Sequence, residues 1–386
     1  MRSYKIYVPR NIILISLIII FIYIAFFFDS CGLFCVTTGL LIIVVGRNSL
    51  RNKVFSFFTL CLVICGVYLG IYAFDFIPQA YTLLNINKNV VFWLQSGHIH
   101  AIRLLIAYPS YIMSQIFEIE LNLAFGYYCA IVFSMLYYYL TLLLELYGNM
   151  RKKIDNYVLL IFILLLCAVM NGRISFAFLG FAILLREMTA CYCETKPNKW
   201  LNRYMKVIIG VVLSAVSSGT MVIAISFTIV MFIMRIIKYK TLGKIHWEAI
   251  RLLAICTIFS ALLHRGMNYV LFMINKNLTF FDGSVFKLLQ HGLGRIFGNI
   301  SGSIALMVCV FGIVAIIINI IVLLKIYRKQ KDTFPLVLGS NMALYGLLAG
   351  FSTGSISLVP LVIIILIKGK GEIVMESNAV ERIINV

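Results

Sequence analysis

Acidic side chains are scarce in this chain, and charged residues as a whole are few. The 386 residues include only 14 aspartates and glutamates against 33 lysines and arginines, and charged residues make up 12% of the total. Hydrophobic residues make up 62%, and the mean hydropathy is +1.02. These proportions exclude a soluble globular domain and predict a polytopic integral membrane protein of the all-α class.

Signatures of nucleotide and metal chemistry are also missing. The sequence contains no Gly-x-x-x-x-Gly-Lys loop and no closely paired aspartates that would hold a metal-bound nucleotide sugar. Its ten cysteines lie mostly inside apolar runs, where neither a zinc site nor a disulfide framework is indicated. The net charge of +19 fits cytoplasmic loops rich in lysine and arginine. We therefore expect no metal, no cofactor and no nucleic-acid partner.

Apolar runs predict about twelve membrane-spanning helices. With both termini in the cytoplasm, every inner segment carries at least three lysines or arginines, as the positive-inside rule requires. The predicted spans are 11–28, 31–46, 54–74, 125–147, 157–170, 174–185, 207–217, 220–234, 252–263, 304–324, 334–351 and 356–367. Seven basic residues remain on the outer side: Lys88, Arg103, Arg173, Arg265, Lys276, Lys287 and Arg295.

Two of the predicted outer connections are long, and they cover 75–124 and 264–303. In the first we expect short interfacial helices near 90–94 and 104–112, with Pro109 interrupting the second helix. The sequence shows no repeat and no soluble domain. The whole chain, 1–386, is therefore expected to form a single transmembrane domain with two larger periplasmic loops.

The spans in the middle of the chain are predicted to be short. Those beside Asn171-Gly172-Arg173 and Ser218-Gly219 have 11 to 15 residues, about 17 to 22 Å of helix against a hydrocarbon core of about 30 Å. Short spans interrupted by glycine often mark substrate sites. We therefore expect Arg173 to lie at membrane depth, where a charge usually faces a cavity or a partner.

The second outer connection contains a predicted helix with one basic face. Asp282 or Ser284 would cap this helix, and Lys287, His291 and Arg295 follow at intervals of four residues. Apolar residues cover the opposite face. The alternative without a catalytic or binding role is an interfacial helix whose long basic side chains reach lipid headgroups.

The outer basic residues indicate an anionic substrate. Arginine binds phosphate oxygens in bidentate fashion, and several arginines can hold a pyrophosphate leaving group without a metal. Histidine can remove a proton from a hydroxyl near neutral pH, which makes His264 and His291 the candidate bases. Glu118 and Asp282 are the reserve candidates. A lipid-linked sugar with a pyrophosphate leaving group would fit this chemistry.

In layout the chain resembles the bacterial O-antigen and related polysaccharide polymerases of the Wzy type. The resemblance rests on about twelve spans, two enlarged outer loops carrying arginine and histidine, Arg173 at the central hairpin, and the segment with Lys287, His291 and Arg295. It implies a GT-C-like membrane glycosyltransferase. Such an enzyme moves a growing glycan from undecaprenyl pyrophosphate to a lipid-linked repeat unit at the periplasmic face of the bacterial inner membrane.

The resemblance also implies roles and partners. The partners would be undecaprenyl-pyrophosphate-linked oligosaccharides, membrane lipids and a chain-length regulator. His291 and His264 would act on the acceptor hydroxyl. The residues expected to bind pyrophosphate are Arg173, Arg265, Arg295, Arg103 and Lys287.

Two alternatives from other classes stay open. A flippase of lipid-linked oligosaccharides would place charges along a path accessible from both sides of the membrane. A membrane O-acyltransferase would need a histidine centre reachable from the cytoplasm, and His246 is a poor candidate for that role.

Overall fold

The computed structural model describes 30–46, 49–98, 100–146, 153–169, 172–193 and 200–241, together with isolated residues before and after these ranges. Within the described residues, every regular element is an α-helix. We number the helices of the continuous ranges in chain order. They are α1 (Cys31–Val45), α2 (Leu50–Tyr68), α3 (Pro78–Ile86), α4 (Val90–Gln95), α5 (Ala101–Ile116), α6 (Leu121–Leu146), α7 (Lys153–Val169), α8 (Gly172–Cys193), α9 (Trp200–Ser214) and α10 (Ser218–Thr241).

Three stretches of the described helices are long and apolar enough to cross a membrane: α2, α6 and Gly172–Tyr192 of α8. Shorter apolar stretches are α1, Asn156–Ala168 of α7 and Ile223–Arg235 of α10. The predicted all-α class is confirmed for the described part of the chain, and its apolar helices indicate a membrane protein. The count of twelve spans and the GT-C-like arrangement stay predictions, since several predicted spans lie outside the described residues.

The first two helices begin at serine caps. The Ser30 hydroxyl accepts a hydrogen bond from the Leu33 N–H, and the Ser49 hydroxyl accepts one from the Asn52 N–H, each at 3.4 Å. A serine in this position satisfies one of the backbone donors that the first turn of a helix leaves open. α1 and α2 then pack against each other.

The end of α2 corrects a predicted boundary. α2 stops at Tyr68, although the apolar run and the predicted span continue to residue 74. Gly70 has a φ of +70°, and the Ile71 N–H donates to the Gly66 carbonyl at 2.8 Å. This left-handed closing turn is a Schellman motif, which glycine adopts without steric cost. Local turn chemistry therefore ends the helix before the hydrophobicity does.

The predicted outer connection 75–124 is largely helical and contains α3, α4 and α5. Both α3 and α4 pack against α5. Helices at the two predicted positions are confirmed, but the predicted interruption at Pro109 is wrong, because α5 runs through it from Ala101 to Ile116. A proline removes a single backbone donor, and the neighbouring Ser110 hydroxyl donates to the Ala107 carbonyl at 2.6 Å.

The described chain divides into two compact units. Unit 1 comprises 1–142 and 152–176, and unit 2 comprises 143–151 and 177–386. The predicted single transmembrane domain stays a prediction. Each unit has its own buried side chains, and we describe each one by itself.

Aromatic packing along α6 forms the core of unit 1. The Phe125 ring lies 5.4 Å from Phe76 and 6.0 Å from Phe176, measured between ring centroids. A buried hydrogen bond adds to this packing, because the Ser134 hydroxyl donates to the Ser56 carbonyl at 2.8 Å. Serine hydroxyls commonly bond across helices in membrane proteins, where an unpaired polar group is costly. α6 therefore joins α2 and the start of α8 within unit 1.

In unit 2, α8 and α9 pack with their backbones in close contact. A Cβ atom on Gly180 would lie 2.5 Å from the Gly210 carbonyl oxygen and 2.6 Å from the Ser214 nitrogen. A Cβ atom on Gly210 would lie 2.8 Å from Leu184 Cγ. No side chain fits at such distances, so both positions require glycine. Small residues of this kind let membrane helices approach closely and gain van der Waals contact.

Two helices, α8 and α10, are longer than the predicted spans of 11 to 15 residues. α8 has 22 residues and α10 has 24, so α8 is about 33 Å long. The prediction of a short span at 174–185 is therefore wrong. The predicted span ends where charge begins, at Arg186, whereas the helix continues through Arg186 and Glu187.

The close contact between α8 and α9 predicts the outcome of a small substitution. We expect Gly180→Ala to lower the free energy of unfolding by about 1 to 3 kcal/mol, because the new methyl group meets backbone atoms that cannot move aside. The measurement is the unfolding midpoint of the purified protein in detergent.

Gly32→Ala is the matched control, since a Cβ atom on Gly32 would lie 3.7 Å from Tyr127 Cζ, an ordinary contact distance. That variant should be neutral or gain up to about 1 kcal/mol from the helix propensity of alanine. Equal midpoints for Gly180→Ala and wild type would contradict the close packing of α8 on α9.

Candidate functional site

The structure describes three of the predicted site residues, Arg103, Arg173 and Lys287. Arg103 and Arg173 belong to unit 1, and Lys287 belongs to unit 2. The others lie outside the described residues, and their roles stay predictions: His264, Arg265, His291 and Arg295.

Arg103 is buried inside unit 1. It lies in the first turn of α5 and is only 6% exposed. The positive end of the helix dipole disfavours a cation in that turn, by roughly 0.3 to 1 kcal/mol at an exposed site. Burial in this position argues against Arg103 as an ordinary residue of a surface loop.

Arg173 is the second residue of α8, and it is half-buried. Its Nε atom is buried and has no hydrogen-bond partner among the described atoms. The neighbouring Gly172 packs tightly against Phe125 and Cys129, which fixes the start of α8 against α6. Arg173 therefore presents a guanidinium with an unused donor at the N-terminal end of a helix, where the helix dipole also favours an anion.

Lys287 is paired with a carboxylate. Its Nζ atom lies 2.6 Å from Asp282 Oδ2, and both side chains are exposed. The Ser284 hydroxyl accepts a hydrogen bond from the Lys287 N–H at 3.3 Å, so the predicted cap at Ser284 is confirmed. The hydrogen bond and the charge of Lys287 lower the pKa of Asp282. Asp282 is consequently a poor base near neutral pH.

Glu118, the other reserve base, has a backbone role. It adopts a φ of +47° directly after α5. The Ile119 N–H donates to the Ser114 carbonyl at 3.2 Å, which closes the helix end in a left-handed turn. The positive φ of Glu118 is therefore explained by the turn that ends α5.

A second group of charged residues lies in unit 2, and the sequence did not predict it as a site. The Arg186 guanidinium donates through Nη1 to Glu187 Oε1 at 2.7 Å. Lys206 Nζ lies 3.6 Å from the same carboxylate oxygen. Glu187 is completely buried, and Arg186 is 8% exposed. One carboxylate oxygen is therefore shared by two basic side chains.

Further basic residues lie near this pair. Cys191 lies near Arg203, Arg235 and Glu187. Arg235 is 5% exposed. The group draws on three consecutive helices, α8, α9 and α10. We call it the Glu187 cluster, and it consists of Arg186, Glu187, Cys191, Arg203, Lys206 and Arg235.

The pairing of α8 with α9 explains why these residues meet. Contacts along the two helices follow an antiparallel order: Gly180 with Ser214, Leu184 with Gly210, Glu187 with Lys206, and Cys191 with Arg203. Steps of three and four residues keep all these positions on one face of each helix. This spacing of three and four residues is present in the sequence over 180–191 and 203–214. It is missed when each predicted span is ended at the first charged residue.

The Glu187 cluster brings charged side chains out of contact with solvent, since Glu187, Arg186 and Arg235 are all buried. Charged side chains inside membrane proteins are costly, face the interior or a water-filled cavity, and commonly mark function. Among the described residues, no group of three or more His, Cys, Asp or Glu side chains could hold a metal ion.

No protein-family model, curated protein or solved structure matches the chain. The described structure defines a class only, that of an all-helical protein with three candidate membrane spans. Any more specific function has to be argued from Arg103, Arg173 and the Glu187 cluster.

The ion pair of Arg186 and Glu187 can be tested by a double-mutant cycle. We expect Glu187→Gln to destabilise the protein by about 3 to 5 kcal/mol, because it removes the buried negative charge that is paired with Arg186. Arg186→Gln combined with Glu187→Gln should cost less than the sum of the two single changes, with a coupling of about 1 to 3 kcal/mol. Unfolding midpoints of the four proteins provide the measurement.

The exposed pair of Lys287 and Asp282 supplies the control for this cycle. Asp282→Asn should leave the unfolding midpoint close to wild type, because solvent screens that pair. Additive effects of the two changes in the Glu187 cluster would show that the buried pair has no energetic coupling.

Proposed function

We propose that the protein is a lipid-linked polysaccharide polymerase, a glycosyltransferase of the bacterial inner membrane. It would transfer a growing glycan from undecaprenyl pyrophosphate to a lipid-linked repeat unit at the periplasmic face. Lipid-linked oligosaccharides are its substrates, and a chain-length regulator is a candidate partner. The chain layout, with two long outer connections, supports this proposal.

The observation that carries the proposal is the environment of Arg173. A half-buried guanidinium with an unsatisfied Nε, at the start of a helix, is a ready donor for an anionic ligand. A cation with a purely structural role is normally paired with an opposite charge, and its donors are hydrogen-bonded, when it is removed from water. A pyrophosphate that enters from the outer side would supply the missing acceptor.

In the proposed reaction the acceptor hydroxyl oxygen attacks the anomeric carbon of the donor glycan. The bond from that carbon to the pyrophosphate oxygen breaks, and undecaprenyl pyrophosphate leaves. His291 or His264 takes the hydroxyl proton. Arg173, with Arg265 and Arg295, stabilises the charge that develops on the leaving group.

The remaining predicted residues contribute to different degrees. Arg103 is buried in unit 1 and can serve either the pyrophosphate or the packing of α5. Lys287 is partly neutralised by Asp282. Within this proposal, Arg173 is therefore the described residue most specific to substrate binding.

A flippase of lipid-linked oligosaccharides is the second candidate, and one observation favours it. α8 carries Arg173 in its first turn and the buried Arg186 and Glu187 in its second half. If α8 crosses the membrane as the predicted topology requires, charged residues that are buried or half-buried occur towards both faces. A transport path would need charges in that arrangement.

Polysaccharide length in cells distinguishes the two candidates. Deletion of the gene in its own host should leave single repeat units on the outer side, and wild type should restore the length ladder. Arg173→Ala should reduce polymer by roughly tenfold or more at matched protein levels, because loss of a charge-assisted hydrogen bond costs about 1.5 to 3 kcal/mol. Arg173→Lys keeps the charge but loses the bidentate geometry. The amount of polymer it makes should lie between the amounts made by wild type and by Arg173→Ala.

Lys88→Ala is the matched control, since Lys88 is an exposed basic residue on the same predicted side. Its ladder should equal that of wild type. Repeat units trapped on the cytoplasmic face after deletion would identify a flippase. A full ladder with Arg173→Ala would remove Arg173 from the mechanism.

A further inference from the structure

We propose that unit 1 contains an internal water-binding site, formed by polar side chains where α2, α6 and α7 meet. Ser56 on α2 and Asn156 on α7 supply the hydrogen-bonding groups. The site shares no residue with the pyrophosphate site proposed at Arg173, and it does not depend on the proposed function.

Two side chains at this junction carry polar atoms that the protein itself does not satisfy. Ser56 and Asn156 are both completely buried. The Ser56 hydroxyl and the Asn156 amide nitrogen have no hydrogen-bond partner among the described atoms. A buried polar group without a partner is costly, above all between membrane helices that bulk solvent does not reach. Two such groups at one junction indicate a polar ligand that satisfies both.

Hydrogen bonds to α6 bring the two side chains to the same level. The Ser134 hydroxyl donates to the Ser56 carbonyl, and the Tyr137 hydroxyl donates to Asn156 Oδ1, each at 2.8 Å. Ser134 and Tyr137 are three residues apart and therefore lie on one face of α6. α2 and α7 thus lie against the same turn of α6.

The ring of Phe55 supports this placement independently. It lies 6.4 Å from the Tyr137 ring and 5.0 Å from the Tyr157 ring, measured between centroids. Phe55 precedes Ser56 and Tyr157 follows Asn156, and α2 also packs directly against α7. The Ser56 hydroxyl and the Asn156 amide are therefore held at one junction, away from solvent.

The chemistry of the two groups selects water as the ligand. An amide nitrogen only donates, whereas a hydroxyl both donates and accepts. The amide N–H groups of Asn156 would repel a metal cation, and the complete burial of both residues disfavours a larger ligand. Water can accept from Asn156 and donate to Ser56. Buried waters typically make about three hydrogen bonds, and the completely buried Asn52, one turn before Ser56, is a further polar side chain here.

The competing explanation is a dry contact in which both groups stay unsatisfied. The two explanations predict opposite signs for Ser56→Ala. In a dry contact this change removes an unsatisfied polar group and should raise the unfolding midpoint, whereas loss of a hydrogen bond to water should lower it. The backbone carbonyl that accepts from Ser134 remains in either case.

Ser110→Ala is the matched control for Ser56→Ala. Ser110 is also a completely buried serine within a helix, and its hydroxyl donates to the Ala107 carbonyl at 2.6 Å. Both substitutions carry the same gain in helix propensity. We expect Ser56→Ala to lower the midpoint at least as much as Ser110→Ala, since both changes would remove a hydrogen bond.

Bound water can be detected by X-ray radiolysis of the purified full chain in nanodiscs of zwitterionic lipid, followed by mass spectrometry. Radicals formed from a bound water oxidise the side chains beside it. We expect Tyr137 to be oxidised severalfold faster than Phe133, a completely buried ring on the same helix. In Ser56→Ala the oxidation of Tyr137 should fall to the rate of Phe133.

A water shared by Ser56 and Asn156 also predicts coupling between them. Either Ser56→Ala or Asn156→Leu would remove the water. The double variant should therefore lower the midpoint by less than the sum of the two single shifts. Neither of the two unsatisfied atoms bonds to the other, so a direct hydrogen bond between them would not account for such coupling.

Three outcomes would overturn the proposal. One is oxidation of Tyr137 no faster than that of Phe133 in wild type, a measurement that needs no variant. The others are a raised midpoint in Ser56→Ala and additive shifts in the double-mutant cycle. Should Ser56→Ala fail to fold, Ser56→Cys replaces it and should likewise slow the oxidation of Tyr137, because a thiol is a weak hydrogen-bonding group. None of these outcomes bears on Arg173, so failure here leaves the test of the proposed function intact.

Discussion

Backbone contact between α8 and α9 is the constraint on which the charged part of unit 2 depends. Gly180 and Gly210 bring the two helices together so closely that no side chain can separate them. Once this contact is fixed, the antiparallel order places Glu187 beside Lys206 and brings Cys191 to Arg203. The close packing at Gly180 and Gly210 therefore determines which charged side chains of α8 and α9 meet.

Much of the helical layout was predictable from hydrophobicity, because apolar length is a direct requirement of the membrane. α1, α6 and α7 lie close to the predicted spans. The errors come from local chemistry. A glycine turn ends α2 early, and α5 continues through Pro109. Both features depend on a few backbone hydrogen bonds, which hydropathy does not report.

The site was less predictable than the fold. The sequence alone identifies Arg173 as a candidate site residue, since an arginine inside an apolar region is energetically costly. The Glu187 cluster did not follow, because each of its basic residues reads alone as part of a cytoplasmic loop. Recognition required knowing that α8 extends past Arg186 and which helix faces it. That information is tertiary, and no single helix contains it.

The composition of α8 has a consequence for biosynthesis. A charged residue within a lone helix opposes membrane insertion, by up to about 2.5 to 3.5 kcal/mol at the helix centre on translocon scales. Arg186 and Glu187 are adjacent and bonded to each other, which offsets part of this cost, but the compensating contact with Lys206 exists only after α9 has been synthesised. If α8 spans the membrane, its stable integration would therefore depend on α9 as well.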